Sequence, residues 1–157
     1  MKKYLILSLF IWINLSVPAQ DVVKSFLEMH AKDDNLEIVS IGKKMLKMVC
    51  TLSSDDPNLT NAIKDLETIR IVSSKDQDSI KEYYTCAQDL VAKAKGFEGF
   101  FSMSKEDKEL MVMIRESKGN IKELLLLSEQ PEEGFNLISI SGKINLDDLL
   151  QYSGKIE

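Results

Sequence analysis

Glu109-Leu110-Met111-Val112-Met113-Ile114-Arg115, the turn Ser117-Lys118-Gly119-Asn120, and Ile121-Lys122-Glu123-Leu124-Leu125-Leu126-Leu127 decide the fold of this chain. Two short apolar runs flank a turn that contains glycine, and that pattern predicts a β-hairpin. The same logic extends outward in both directions. Residues 97–103 lead through Ser104-Lys105-Glu106-Asp107 into the first run, and Gln130-Pro131-Glu132-Glu133-Gly134 leads from the second into residues 135–141. Turns at this spacing between apolar segments predict an antiparallel meander of four strands.

Upstream, the period changes. Val22, Val23, Phe26 and Met29 or His30 recur at helical spacing over 21–31, and residues 36–41 alternate as a strand. Met45, Met48, Val49 and Leu52 predict a helix after Gly42. Asp56 followed by Pro57 marks the start of another, whose inner stripe is Leu59, Ile63 and Leu66. Residues 68–73 read as a second strand. Ser74 with Gln77 forms a capping box for a helix running to about residue 95, with Ile80, Tyr83, Tyr84, Ala87, Leu90, Val91 and Ala94 on one face and Gly96 as its stop. Asn145 caps a last helix carrying Leu146, Leu149 and Leu150. Together these elements predict an α+β domain: a single largely antiparallel (mixed) sheet of about six strands with helices packed on one face.

The first 19 residues stand apart. Lys2 and Lys3 precede an apolar run from Tyr4 to Ile13, and Ser16-Val17-Pro18-Ala19 supplies the small residues of a cleavage point after Ala19. The run is too short to span a bilayer. Residues 1–19 therefore read as a signal peptide, and residues 20–157 as one α+β domain in a periplasmic or secreted protein. No cysteine lies near the cleavage point, so no lipid anchor is expected. Loss of Lys2 and Lys3 takes the formal net charge from −5 to −7. Such a balance argues against nucleic acid and anionic membrane as partners. Export permits a disulfide between Cys50 and Cys86, the candidate pair, although each falls on the flank of its predicted helix.

Catalytic chemistry finds little support. The acidic pairs Asp33/Asp34, Asp55/Asp56, Glu132/Glu133 and Asp147/Asp148 fall in turns or first helical turns, where carboxylates serve as caps. None sits in a twelve-residue calcium-loop pattern. His30 is the single histidine, with no flagged nucleophile to act on, and its place at a helix end suits capping. No Cys-x-x-Cys and no Gly-rich phosphate loop is present. The expectation is a protein without enzymatic activity, with no catalytic, metal or cofactor-binding residues and no cofactor.

Surplus apolar surface is the more suggestive feature. In residues 110–114, Leu110, Val112 and Ile114 share one face, and Met111 and Met113 the other. Residues 121–127 are likewise apolar on both faces. With helices on one side only, a face lined by Met111, Met113, Phe100 and Phe101 is left to dock an envelope protein or a second copy. Two alternatives stand beside this reading. One is a lipid- or ligand-binding protein or small hydrolase, with a pocket between helix 76–95 and the sheet lined by Tyr83, Tyr84 and Phe101. The other is a self-associating structural component of the envelope.

Three stretches carry a resemblance: Val39-Ser40-Ile41-Gly42-Lys43-Lys44-Met45-Leu46, Leu66-Glu67-Thr68-Ile69-Arg70-Ile71-Val72-Ser73-Ser74, and Leu137-Ile138-Ser139-Ile140-Ser141-Gly142-Lys143-Ile144-Asn145-Leu146. Across roughly residues 28–152 the chain resembles domain of unknown function family 4252, small exported proteins of Gram-negative bacteria. The resemblance implies a fold and an envelope location, and brings no catalytic residues to transfer. Many members look lipid-anchored; this chain departs from them in lacking the lipobox cysteine.

Overall fold

A computed structural model describes residues 20–148. The signal-peptide expectation over 1–19, and Leu149 and Leu150 of the last predicted helix, lie outside the described residues. Ten elements follow in the order α1 (Val22–Met29), β1 (Glu37–Gly42), α2 (Lys43–Leu52), α3 (Pro57–Ile63), β2 (Leu66–Ser74), α4 (Ile80–Lys93), β3 (Phe97–Lys105), β4 (Lys108–Ser117), β5 (Asn120–Gln130) and β6 (Gly134–Ile144). The strands form one six-stranded sheet in the order β1-β2-β6-β5-β4-β3, antiparallel at every pairing. The α+β class and the single sheet of six strands are as expected.

Local chemistry sets the element ends. Asp21 caps α1 by accepting from the Lys24 amide at 3.0 Å, and Asp56 caps α3 by accepting from the Asn58 and Leu59 amides, each at 3.1 Å. The β4–β5 hairpin closes through Lys118 and Gly119 with φ of 53° and 74°, the two positive values a type I′ turn requires. One expected cap does not form. Ser74 is the buried last residue of β2, its hydroxyl accepts from the Asp76 amide, and the Gln77 side chain reaches the Pro131 carbonyl instead. Helix α4 consequently begins at Ile80, after a turn in which the Asp76 carbonyl accepts from the Ser79 and Ile80 amides.

Helices occupy both faces of the sheet, which corrects the one-face arrangement. On the first face, α1 and α4 pack Val22, Val23, Phe26, Tyr83, Ala87 and Val91 against Val72, Leu125, Leu127, Phe135 and Leu137. On the second, α2 and α3 pack Leu46, Ala62 and Ile63 against Leu66 and Ile144, with Ile41, Ile69, Leu124 and Ile140 beneath them. Leu124 and Leu125 adjoin in the chain yet belong to different cores, because successive strand residues point to opposite faces. The reason lies in connectivity. The β1–β2 link is long enough to fold into two helices of its own, and their apolar stripes need a surface that α1 and α4 have not taken.

This division also separates the cysteines. Cys86 on α4 packs against the first core and Cys50 on α2 against the second, so the sheet lies between them and both are free thiols. A bridge needs Cα atoms within about 7 Å, which this arrangement denies. Burial, then the nearby Asp89 and Glu82 carboxylates, push the Cys86 thiol up, which favours its protonated form.

Candidate interaction face

The registers resolve the second face into rows that cross the whole sheet. One row, Ile41, Ile69, Ile140, Leu124 and Ile114, runs beneath or beside the α2–α3 layer. The next is Val39, Ile71, Ile138, Leu126, Val112 and Phe101, six apolar residues, one from each strand. None of the six belongs to either buried cluster. The central four are half-buried, while Val39 and Phe101 at the two edges are 49% and 51% exposed. Beyond them lies a row that is polar at its centre: Glu37, Ser73, Asn136 and Ser128, ending in Leu110 and Met103. An apolar strip is thus bounded on one side by helices and on the other by hydroxyl and amide groups.

The expected interaction residues do not share a face. Met111 and Met113 are half-buried and pack against the first core, on the side of α1 and α4. Phe101 stands on the opposite face, paired with Val112. The register shift between Gly99 and Phe101 leaves Phe100 outside the β3–β4 pairing, 50% exposed. The less covered face of the meander is that of Leu110 and Val112 rather than that of Met111 and Met113. Apolar alternation on both faces cannot tell which one the helices take. A partial signal lay in branching: Val39, Ile41, Ile69, Ile71, Val112, Ile114, Ile138 and Ile140 fall on the second face, against Ile38 and Val72 on the first, and β-branched residues suit a pleated surface without needing the adaptability of Met and Leu.

Beneath α1 the first face carries charge. Arg70 holds Asp21 through two bonds of 2.9 Å, and Arg115 pairs with Glu123 at 3.0 Å while donating to the Gln20 carbonyl at 3.1 Å. Ser139 donates to the other Glu123 oxygen at 3.2 Å, and the Arg115 guanidinium lies 4.0 Å from the centre of the Phe97 ring. Burial pulls the Asp21 carboxyl upward, but the Arg70 bond, the Lys24 amide and the Arg70 charge outweigh it, and the net shift is down. Burial wins at Glu123, which is raised despite Arg115 and Ser139. These pairs fasten the start of the fold to β2, β4 and β5, and they present no group to a cleft.

His30 is equally structural. Its amide caps α1 on the Phe26 carbonyl, and its ring packs 4.5 Å from Phe26 and 5.1 Å from Tyr83. The Tyr83 hydroxyl donates to Asp33, which also accepts from the Asn35 amide. Between α4 and the sheet lies a small hollow of about 150 Å³ lined by Gln77, Ile80, Lys81, Asp107, Glu129 and Pro131, and Tyr83, Tyr84 and Phe101 are not part of it. Tyr83 and Tyr84 are buried core residues, and Phe101 lies across the sheet from them. The hollow beside α4, about 530 Å³, lies on its outer side and is lined by Met29, Lys81, Glu82, Thr85, Cys86 and Asp89 among others. Among the described residues no three His, Cys, Asp or Glu side chains gather as metal ligands, and no helix is long and apolar enough to cross a membrane.

A family model described as Domain of unknown function (DUF4252) matches residues 27–152, and the chain belongs to that family. No curated protein and no solved structure matches it.

Proposed function

We propose that this DUF4252 chain is an exported, non-enzymatic binding module of the bacterial cell envelope, and that the strip Val39–Ile71–Ile138–Leu126–Val112–Phe101 docks an amphipathic helix of a protein partner. The observation that carries the reading is the strip itself: one apolar residue from every strand, outside both cores. Six strands at about 4.8 Å spacing give it a length of roughly 24 Å. Adjacent rows lie about 7 Å apart along the strands, so the width between the α2–α3 layer and the polar row suits one helix of about 10 Å diameter. A helix of some 16 residues covers that length at about 1.5 Å per residue. Two sheets packed face to face need both faces clear, and α2 with α3 already occupies one end of this one. That geometry favours a helix over a second copy.

Export is supported by the residues of the signal segment and by the start of the fold close behind it, where Asp21 already caps α1 and pairs with Arg70. The test is photo-crosslinking in the native envelope with p-benzoylphenylalanine at Val112 or Leu126, and at Met111 as the control beneath α4. The expected product joins the first two positions, but not the third, to a helical segment of one envelope protein, and Ile138→Lys abolishes it. Self-crosslinks alone overturn the reading in favour of a homo-oligomer. Absence of any product at Val112 and Leu126 overturns it as well.

A further inference from the structure

We propose that α2 is a membrane-surface element that rests on bilayers rich in anionic phospholipid, a contact distinct from the apolar strip. Helix α2 is divided into three sectors. Leu46 is buried in the second core, with Val49 and Cys50 half-buried beside it. Met45, Met48 and Leu52, at helical spacing on another side, are 49%, 50% and 78% exposed. Lys43, Lys44 and Lys47 fill the remaining sector. A core-packed helix needs only its first stripe; the second one, exposed and flanked by lysines, has the amphipathic arrangement of a helix lying in a bilayer interface.

The positive charge extends beyond the helix. Lys43, Lys64, Lys122 and Lys143 line a single surface hollow with Asp65, Glu67, Ser141 and Gly142. Among the described residues none of these four lysines, nor Lys44 or Lys47, forms an ion pair. The position of Lys43 and Lys44 also runs against local stability. They occupy the first turn of α2, which has no acidic residue and no side-chain cap, and cations there oppose the helix dipole. Residues that break a local rule without a compensating contact mark a surface shaped by something outside the fold.

The acidic total does not forbid this. At physiological salt, charges more than about 8 Å apart are largely screened, so a bilayer meeting α2 senses the six lysines together with Asp65 and Glu67 of the hollow, a locally positive balance, and not the distant carboxylates. An acidic protein would use the lysines but gain little from three large apolar side chains, whereas anionic headgroups over an acyl boundary match both sectors.

The test is co-sedimentation of the processed protein, beginning at Gln20, with phosphatidylcholine vesicles with and without phosphatidylglycerol. Binding is expected only to the anionic vesicles and is expected to weaken as salt rises. At about fivefold per lysine, K43Q/K44Q/K47Q lowers the partition roughly a hundredfold, and Leu52→Ser with Met48→Ser lowers it independently. All five positions are exposed, so an unchanged unfolding midpoint shows that the variants remain folded. Ile138→Lys, which tests the strip, leaves vesicle binding intact, and this separates failure here from failure of the protein-docking reading. Equal binding to neutral vesicles, no binding to either, or full binding by the lysine variant overturns the proposal.

Discussion

Replacing Leu125 and Leu126 by alanine, one at a time, tests the central geometric claim, because the two neighbours face opposite environments. Leu125 is 1% exposed among the residues of the first core. Its truncation removes buried methyl groups and leaves a cavity walled by α4 and the sheet, at a cost of about 3 kcal/mol within the usual 2–5 range. Leu126 is half-buried, belongs to neither core and has solvent above it. Truncation there exposes a little more of its neighbours and leaves no enclosed void, for about 1 kcal/mol or less at ~25 cal/mol per Å². Urea unfolding of the protein measures both. In a domain of this size each kcal/mol moves the thermal midpoint by roughly 3–5 °C, so L125A falls by about 10 °C and L126A by only a few. Leu126→Lys sharpens the contrast. On an open face it costs less than about 1 kcal/mol, whereas burying an unpaired ammonium costs several. Equal losses for L125A and L126A, or failure of Leu126→Lys to fold, would refute the open strip. If those losses shrink on dilution, a second copy is the cover.

Two further predictions concern the aromatic cluster and the hairpins. Burial and then the Asp33 hydrogen bond push the Tyr83 phenol up to about 12 from its ordinary 10.0, so this group contributes stability that is complete below pH ~10 and lost as pH rises toward 12, at most about 2–3 kcal/mol. The same bond, followed by the Asn35 amide, holds the Asp33 carboxyl below its ordinary 3.8, so its contribution is present above that pH and fades as pH falls further. Tyr83→Phe should flatten both limbs of a urea-midpoint profile against pH; an unaltered alkaline limb would show that the phenol is not the group responsible. Gly134→Ala should cost about 3 kcal/mol or more, since its φ is +82° and an added Cβ would sit 2.1 Å from the Ser74 carbonyl oxygen. Gly119→Ala, at φ +74° with open space around it, should cost only the backbone strain of about 1–2 kcal/mol. Equal unfolding midpoints for the two variants would contradict the close approach of the β5–β6 turn to β2.

Most of the fold was legible because each element carries its own periodicity and punctuation. Asp56 before Pro57 announced α3, and the glycine between the runs at 109–115 and 121–127 announced the β4–β5 hairpin. Two features were not legible, for one reason: both depend on which elements meet in space. The capping box at Ser74 and Gln77 is good local chemistry, but β2 runs on through Ser74 to pair with Phe135, and the tertiary ladder outweighs the local cap. The orientation of the meander was hidden because strands apolar on both sides satisfy either placement of the helices. Arg115 and Glu123 lie on the helix-covered face, where they satisfy each other and the Gln20 carbonyl, and no local pattern marks that pairing.

The uneven cover of the sheet is a consequence of chain order rather than of residue type. Helices α1 and α4 together cover the centre of the first face because one precedes the first strand and the other joins β2 to the meander, so neither is tied to a single sheet edge. Helices α2 and α3 are confined to the link between two adjacent strands, β1 and β2, and reach only the end of the second face nearest Gly42 and Leu66. An antiparallel sheet can leave such a face to water when it is polar. Here the row beyond that link is apolar throughout, Ile and Val with Leu126 and Phe101, and it passes through the centre of the sheet where replacement by Ser or Thr would cost the ladder little. Branched apolar residues kept on a face that the chain does not cover are a continuing liability for aggregation. That liability is the physical reason to expect a partner over the strip, and it applies whether or not α2 meets a membrane.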